Sequence, residues 1–148
     1  MARLFDTHAH YDDEAFDADR DALLAAMPGS GVGLILDPGC DLESSRRAVE
    51  LAEKYPHVYA AVGWHPENCA PYTEASLDVL RQWAQSPKVV AIGEIGLDYY
   101  WEQNPPREWQ QKVLRDQLAL ARELDLPVII HDRDAHADSL AIVQEFPT

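Results

Sequence analysis

Two histidines separated by one residue, His8 and His10 in the stretch FDTHAH, stand within the first dozen positions of the chain. Along an extended strand, side chains two apart point to the same side, so this pair can offer two imidazoles to one ion. Neutral imidazole is the commonest metal ligand, and its ring is usually oriented by an acceptor behind it, a part open to Asp6 or to a backbone carbonyl. Taken alone, the pair also fits two polar residues in a loop that follows a strand. In AIGEIGLDYY, Glu94 interrupts an apolar run between Gly93 and Gly96. A carboxylate there can bridge two metal ions through its two oxygens, and the glycines permit close backbone approach. A paired core charge, or a strand's exit into a loop, would look the same. His131 follows four apolar residues in PVIIHDRDAH, where a single histidine can equally be a satisfied buried one.

Weaker candidates surround these. His65 in VGWHPE can contact a substrate phosphate or donate a proton, or can be a turn histidine beside a packing tryptophan. Arg133 suits bidentate recognition of phosphate, or an ion pair with Asp132 or Asp134. Tyr99, Tyr100 and Trp101 can stack on a nucleobase or pack in a core. Histidines with carboxylates suit zinc, manganese or iron, and carboxylate-rich variants suit magnesium. Such a centre lowers the pKa of bound water and polarises a phosphoryl or carbonyl oxygen, which makes hydrolysis the natural reaction class.

The elements that must position these residues alternate. FDADRDALLAAM places Phe16, Leu23, Leu24 and Met27 on one helical face, and VGLILDPG is a short apolar strand. LESSRRAVELAEKYP, TEASLDVLRQWAQSP with its Thr cap, PPREWQQKVLRDQLALARELDL and ADSLAIVQEF read as helices; VYAAVGWHP, KVVAIGEIG and PVIIH read as strands. Continuously apolar strands are the habit of parallel sheets covered on both faces, so the class is α/β. His8 and His10, His65, Glu94 and His131 all fall at C-terminal strand ends, the edge on which parallel α/β sheets and barrels build their sites.

Composition narrows the function. With 148 residues and 47% hydrophobic content, one domain with a sizeable core is expected over residues 1–148. Asp and Glu number 26 against 12 Lys and Arg, a net charge of -14. Counterion release cannot then dominate nucleic-acid affinity, although a metal ion can supply local positive charge in a cleft. Cys40 and Cys69 form no C-x-x-C pattern and read as buried or incidental thiols. Neither a signal-peptide run nor a membrane-length apolar stretch is present, so a cytoplasmic location and no membrane partner are expected.

With DTHAH, GWHPE, GEIGLDYY and PVIIHDRDAH in this order, the chain closely resembles the TatD family of metal-dependent deoxyribonucleases, amidohydrolase-like (β/α)8 barrels, from Phe5 onward. The resemblance implies a divalent-metal phosphodiesterase that trims DNA from the 3′ end, with two ions (magnesium, manganese or zinc) in a complete site. It implies His8, His10 and Glu94 on one ion, Glu94 with His131 at a second, and His65 near the substrate; beside these, Arg133 and Tyr99 are expected from their own chemistry to bind substrate, with Glu94 and His65 as the catalytic candidates. The family pattern continues with a histidine on the sixth strand and an aspartate on the eighth, and a full barrel takes ~250 residues. The expectation is therefore an incomplete barrel of about five of eight units, truncated at its C-terminal side, weak or inactive alone and prone to self-association at its open edges. The alternatives are another amidohydrolase-like hydrolase acting on an ester or amide, and a non-catalytic metal-binding fragment.

Overall fold

The computed structural model describes residues 3–147. Five strands, β1 (Leu4–Asp6), β2 (Val32–Pro38), β3 (Val58–Val62), β4 (Val89–Asp98) and β5 (Val128–Arg133), alternate with helices α1 (Arg20–Ala26), α2 (Leu42–Lys54), α3 (Glu74–Trp83), α4 (Arg107–Leu124) and α5 (His136–Gln144). All pairings are parallel and the strand order is β1-β2-β3-β4-β5. An order that never reverses keeps the sheet curling in one direction, as in a (β/α)8 barrel and unlike a doubly wound sheet. The fold is a curled half-barrel of TIM-barrel type.

The strands' alternation divides the apolar residues between two faces. Ile35, Val58, Ala60, Val62 and Ile92 pack against Leu51, Leu80, Leu114 and Leu118 of the helical layer. Leu36, Ala61 and Ala91 form a smaller cluster on the inner face, with Tyr59, Val90 and Ile129 against it. Helix ends follow local chemistry. Asp41 caps α2 by accepting from Ser44 N at 2.8 Å, and Thr73 stands at the N-cap of α3, its N–H donating to Ser76 Oγ at 3.2 Å.

The segment FDADRDALLAAM is not one helix. Glu14–Phe16 forms a 3-10 turn and α1 begins only at Arg20. Asp13 turns its carboxylate onto Ala15 N at 2.8 Å, and the Arg20 guanidinium gathers the carbonyls of Tyr11 and Asp13 together with the Asp17 carboxylate. Short acidic side chains here compete with helical hydrogen bonds and win.

Candidate metal centre

His8 and His10 lie just beyond β1 rather than within it, yet they behave as a strand pair. Ala9 N donates to Leu36 O at 3.1 Å, so the segment still runs alongside β2, and the two Nε2 atoms stand 3.1 Å apart. Asp6 accepts from the backbone N of His8 at 3.2 Å instead of orienting a ring.

Glu94 lies inside β4, four residues before its end, not at the end as its sequence suggests. The pairing of β4 with β5 slips by one residue between Ile92 and Ile95, a bulge that re-aims the carboxylate. The flanking glycines let the strands close around it. A Cβ on Gly93 would come within 2.7 Å of Ile129, and one on Gly96, at φ +151°, within 1.9 Å of His131 O.

The two oxygens of Glu94 face different partners. Oε2 is 3.2 Å from His8 Nε2 and 3.6 Å from His10 Nε2, whereas Oε1 is 3.3 Å from His131 Nδ1. Ligand atoms of His8, His10 and Glu94, and separately of His65, Glu94 and His131, all lie within 4.8 Å of one another. Nitrogen and oxygen donors so arranged fit one or two divalent cations with Glu94 between them. Burial alone would raise the Glu94 pKa, but the His10 and His131 imidazoles beside it hold it well below the usual carboxylate range. The same contacts, led by Glu94, raise His10 and His131.

His131 has a second partner that sequence reasoning missed. Its Nε2 lies 2.9 Å from Asp98 Oδ2, at the end of β4. The fully buried Asp98 also accepts from Tyr100 N and Asn104 Nδ2 at 3.0 Å each through Oδ1. A proton on Nε2 leaves the Nδ1 lone pair facing Glu94, the arrangement a metal-ligating histidine requires.

His65 is buried and its ring centroid lies 4.2 Å from that of His131. Burial, reinforced by the neighbouring His131, pushes it down to about 4. Its Nδ1 accepts from Glu67 N at 3.2 Å, so the neutral ring carries its proton on Nε2. The backbone around it is clasped by Gln117 on α4, which accepts from Trp64 N at 2.7 Å and donates to Trp64 O at 3.1 Å. Gln110, one heptad earlier, does the same for Asp98, accepting from its N at 2.9 Å and donating to its O at 3.0 Å.

Behind His10 lies a buried acidic pair that the sequence reading did not single out. Asp12 Oδ1 is 3.9 Å from His10 Nδ1, and it and both carboxylate oxygens of Asp37 have no hydrogen-bond donor among the described residues. Burial and the Asp12 charge push Asp37 up to about 9, so its carboxyl keeps its proton at neutral pH. An open pocket of about 420 Å³, lined by His10, Asp12, Cys40, His65, Glu67 and Glu94 among others, leads into the centre.

The remaining candidates divide. Tyr99 is half-buried, its hydroxyl donating to Asp138 Oδ2 at 2.8 Å and accepting from Gln111 Nε2 at 2.8 Å, so α4 and α5 engage the group expected at a substrate. Tyr100, Trp101 and Arg133 are exposed beside Asp98. Both cysteines are free thiols, Cys69 buried and Cys40 half-buried. Among the described residues no helix is long and apolar enough to cross a membrane.

The chain is 43% identical over 142 residues to a Bacillus subtilis protein named "Uncharacterized metal-dependent hydrolase YabD", covering 96% of this chain and 55% of that protein. It is 36% identical over 140 residues to the Salmonella typhimurium "3′-5′ ssDNA/RNA exonuclease TatD", covering 95% of this chain and 54% of that protein. The crystal structure of YjjV, a TatD homologue from Escherichia coli, superposes with a TM-score of 0.89 at 39% identity, over 98% of this chain and 56% of the other. The chain thus spans about half the length of the curated relatives it matches. With the family model described as "TatD related DNase" matching residues 5–148, the chain belongs to the TatD family of metal-dependent hydrolases.

Proposed function

We propose that this chain contributes the metal-binding portion of a hydrolase that cleaves phosphodiester bonds of single-stranded DNA from the 3′ end. The observation that carries the reading is Glu94, whose oxygens face His8 and His10 on one side and His131 on the other. Relatives named as 3′-5′ ssDNA/RNA exonucleases support the substrate class. His8, His10 and Glu94 would hold one divalent ion, and Glu94 with His131 would contribute to a second, with magnesium, manganese and zinc as the candidates. When bound, such ions supply Lewis acidity toward a phosphoryl oxygen and lower the pKa of water toward neutrality.

The chain's own residues supply position and protons. Glu94 stays ionised and fixes the spacing of the two histidine sets. Asp98 keeps His131 in one tautomer. His65, neutral at pH 7, donates its Nε2–H to a phosphate oxygen instead of acting as a cationic acid, and Arg133 pairs with a neighbouring phosphate. We further propose that the 148-residue chain alone associates through its outer strands β1 and β5, where Leu4, Phe5 and Ile130 are exposed. Light scattering of the purified chain tests this; a strict monomer at all concentrations refutes it.

The functional test is metal-dependent shortening of 3′- and 5′-labelled single strands, run with the 148-residue chain and with a chain extended to its relatives' full length. Trimming from the 3′ end, abolished by Glu94→Gln and slower in the shorter chain, is expected. Metal-dependent hydrolysis of carboxyl esters or cyclic amides with none of DNA would overturn the reading.

A further inference from the structure

The loop after β4 carries an aromatic pair that lies outside both apolar clusters. Tyr100 is 49% and Trp101 42% exposed, and their rings meet edge to face at 4.6 Å. Arg133, at the end of β5, lays its guanidinium over Tyr100 at 3.9 Å from the ring centroid and stands 5.3 Å from that of Trp101. In a chain with 26 acidic residues this arginine has every opportunity for an ion pair. Its neighbour Asp132 is instead bonded to His136 Nδ1 at 2.7 Å, and among the described residues no carboxylate pairs with Arg133. A guanidinium stacked on a ring keeps its in-plane N–H edge open, the edge that meets phosphate bidentately.

One carboxylate ties this cluster to the candidate metal centre. Asp98 holds His131 Nε2 with Oδ2, and with Oδ1 it accepts from Tyr100 N and Asn104 Nδ2, the start and end of the aromatic loop. Arg133 follows His131 by two positions on β5 and therefore shares its side of the strand. The aromatic pair, the arginine and the histidine are fixed in a single frame.

We propose that Trp101, Tyr100 and Arg133 form a nucleotide subsite, in which a base stacks on the exposed indole and the guanidinium takes the adjoining phosphate. The proposal rests on the reading of the chain as a single-strand nuclease and assigns the side chains that grip the strand next to the metal centre. On a surface of net negative charge, affinity is concentrated in stacking, which is worth ~1–3 kcal/mol per base. One arginine contact gives a log-affinity slope of only ~-0.7 against log salt concentration.

The test compares a labelled oligothymidylate with an abasic oligomer of equal length and charge, by fluorescence anisotropy in EDTA so that hydrolysis is absent. Trp101→Ala is expected to weaken the oligothymidylate about 5- to 150-fold and to leave the abasic oligomer unchanged, while Arg133→Gln weakens both. Equal oligothymidylate affinity in wild type and Trp101→Ala overturns the subsite, as does wild type that binds neither oligomer. Failure of the nuclease reading is seen separately: base-dependent binding lost in Trp101→Ala, with no metal-dependent trimming by the full-length chain, supports the subsite and removes the nuclease.

Discussion

Replacing Asp98 by asparagine isolates the part that a carboxylate plays behind His131. The side chain is fully buried and accepts from three donors, one on His131 and two in the Tyr99–Asn104 loop. An amide of the same shape has one accepting atom and one donating group. Two loop donors against one ring donor turn the amide oxygen toward Tyr100 N and Asn104, which leaves the NH2 facing His131 Nε2. The imidazole must then move its proton to Nδ1, the atom 3.3 Å from Glu94 Oε1, and Nδ1 loses the lone pair a cation needs. Loss of a partner behind a ligating histidine typically lowers metal affinity ~10–100-fold, which is about 1.4–2.7 kcal/mol. Calorimetric titration of manganese or zinc into wild type, Asp98→Asn, His131→Ala and the double variant measures it. Once His131 is gone, Asp98→Asn should have almost no further effect. Affinity within about twofold of wild type in Asp98→Asn, with the fold retained, would refute the tautomer argument.

Metal analysis should find Glu94→Gln more depleted than His65→Ala, because Glu94 faces both histidine sets whereas His65 is assigned to substrate; the reverse order rejects that assignment. Metal affinity should fall with decreasing pH, beginning above the ordinary histidine value of 6.5, since Glu94 raises both His10 and His131 and a protonated ring cannot ligate. Titrations across this range that stay flat until well below 6.5 would contradict the ion-free pairing. Asp37→Asn should stabilise the fold increasingly with pH. The folded Asp37 pKa is raised to about 9 from 3.8, so its contribution is full below about 4 and is lost as pH climbs toward 9. Thermal melts at several pH values check this, and a constant difference between the two proteins refutes it.

Much of this architecture is legible in the sequence because each β-α unit announces itself locally. The apolar runs of β2 and β5 and the capped helices α2 and α3 fall where their patterns place them. The first helix is the exception, since Arg20 and Asp13 act on backbone groups up to nine positions away and no periodicity reports that. The bulge at Glu94 is equally silent, because it exists only in the pairing with β5. Gln110 and Gln117 did leave a signal. They stand seven apart among Val113, Leu114, Leu118 and Ala121 on the buried face of α4, and a glutamine at a core position needs backbone partners, which here prove to be Asp98 and Trp64. Asp12 and Asp37 left none, being twenty-five positions apart and joined only by the fold.

On the proposed function, the electrostatics of the centre would reconcile a chain of charge -14 with a polyanionic substrate. Surface ion pairs neutralise most of its cations locally: Arg46 lies with Glu43 and Glu50, Arg81 with Asp78 and Glu123, and Arg115 with Glu145. Arg133, which no carboxylate pairs among the described residues, stands at the same strand edge as the histidine and carboxylate set, whereas Lys88, Arg107 and Arg122, also without carboxylate partners, lie against Tyr59, Tyr99 and Phe146. Without an ion that set is already charged in pairs, Glu94 ionised and His10 and His131 favouring protons. His8, His10, Glu94 and His131 would exchange those protons for a divalent cation, which would supply local positive charge without enlarging the basic surface. On the proposed function, phosphate recognition would gather at this strand edge, where such an ion and Arg133 stand beside the stacking aromatics Tyr100 and Trp101.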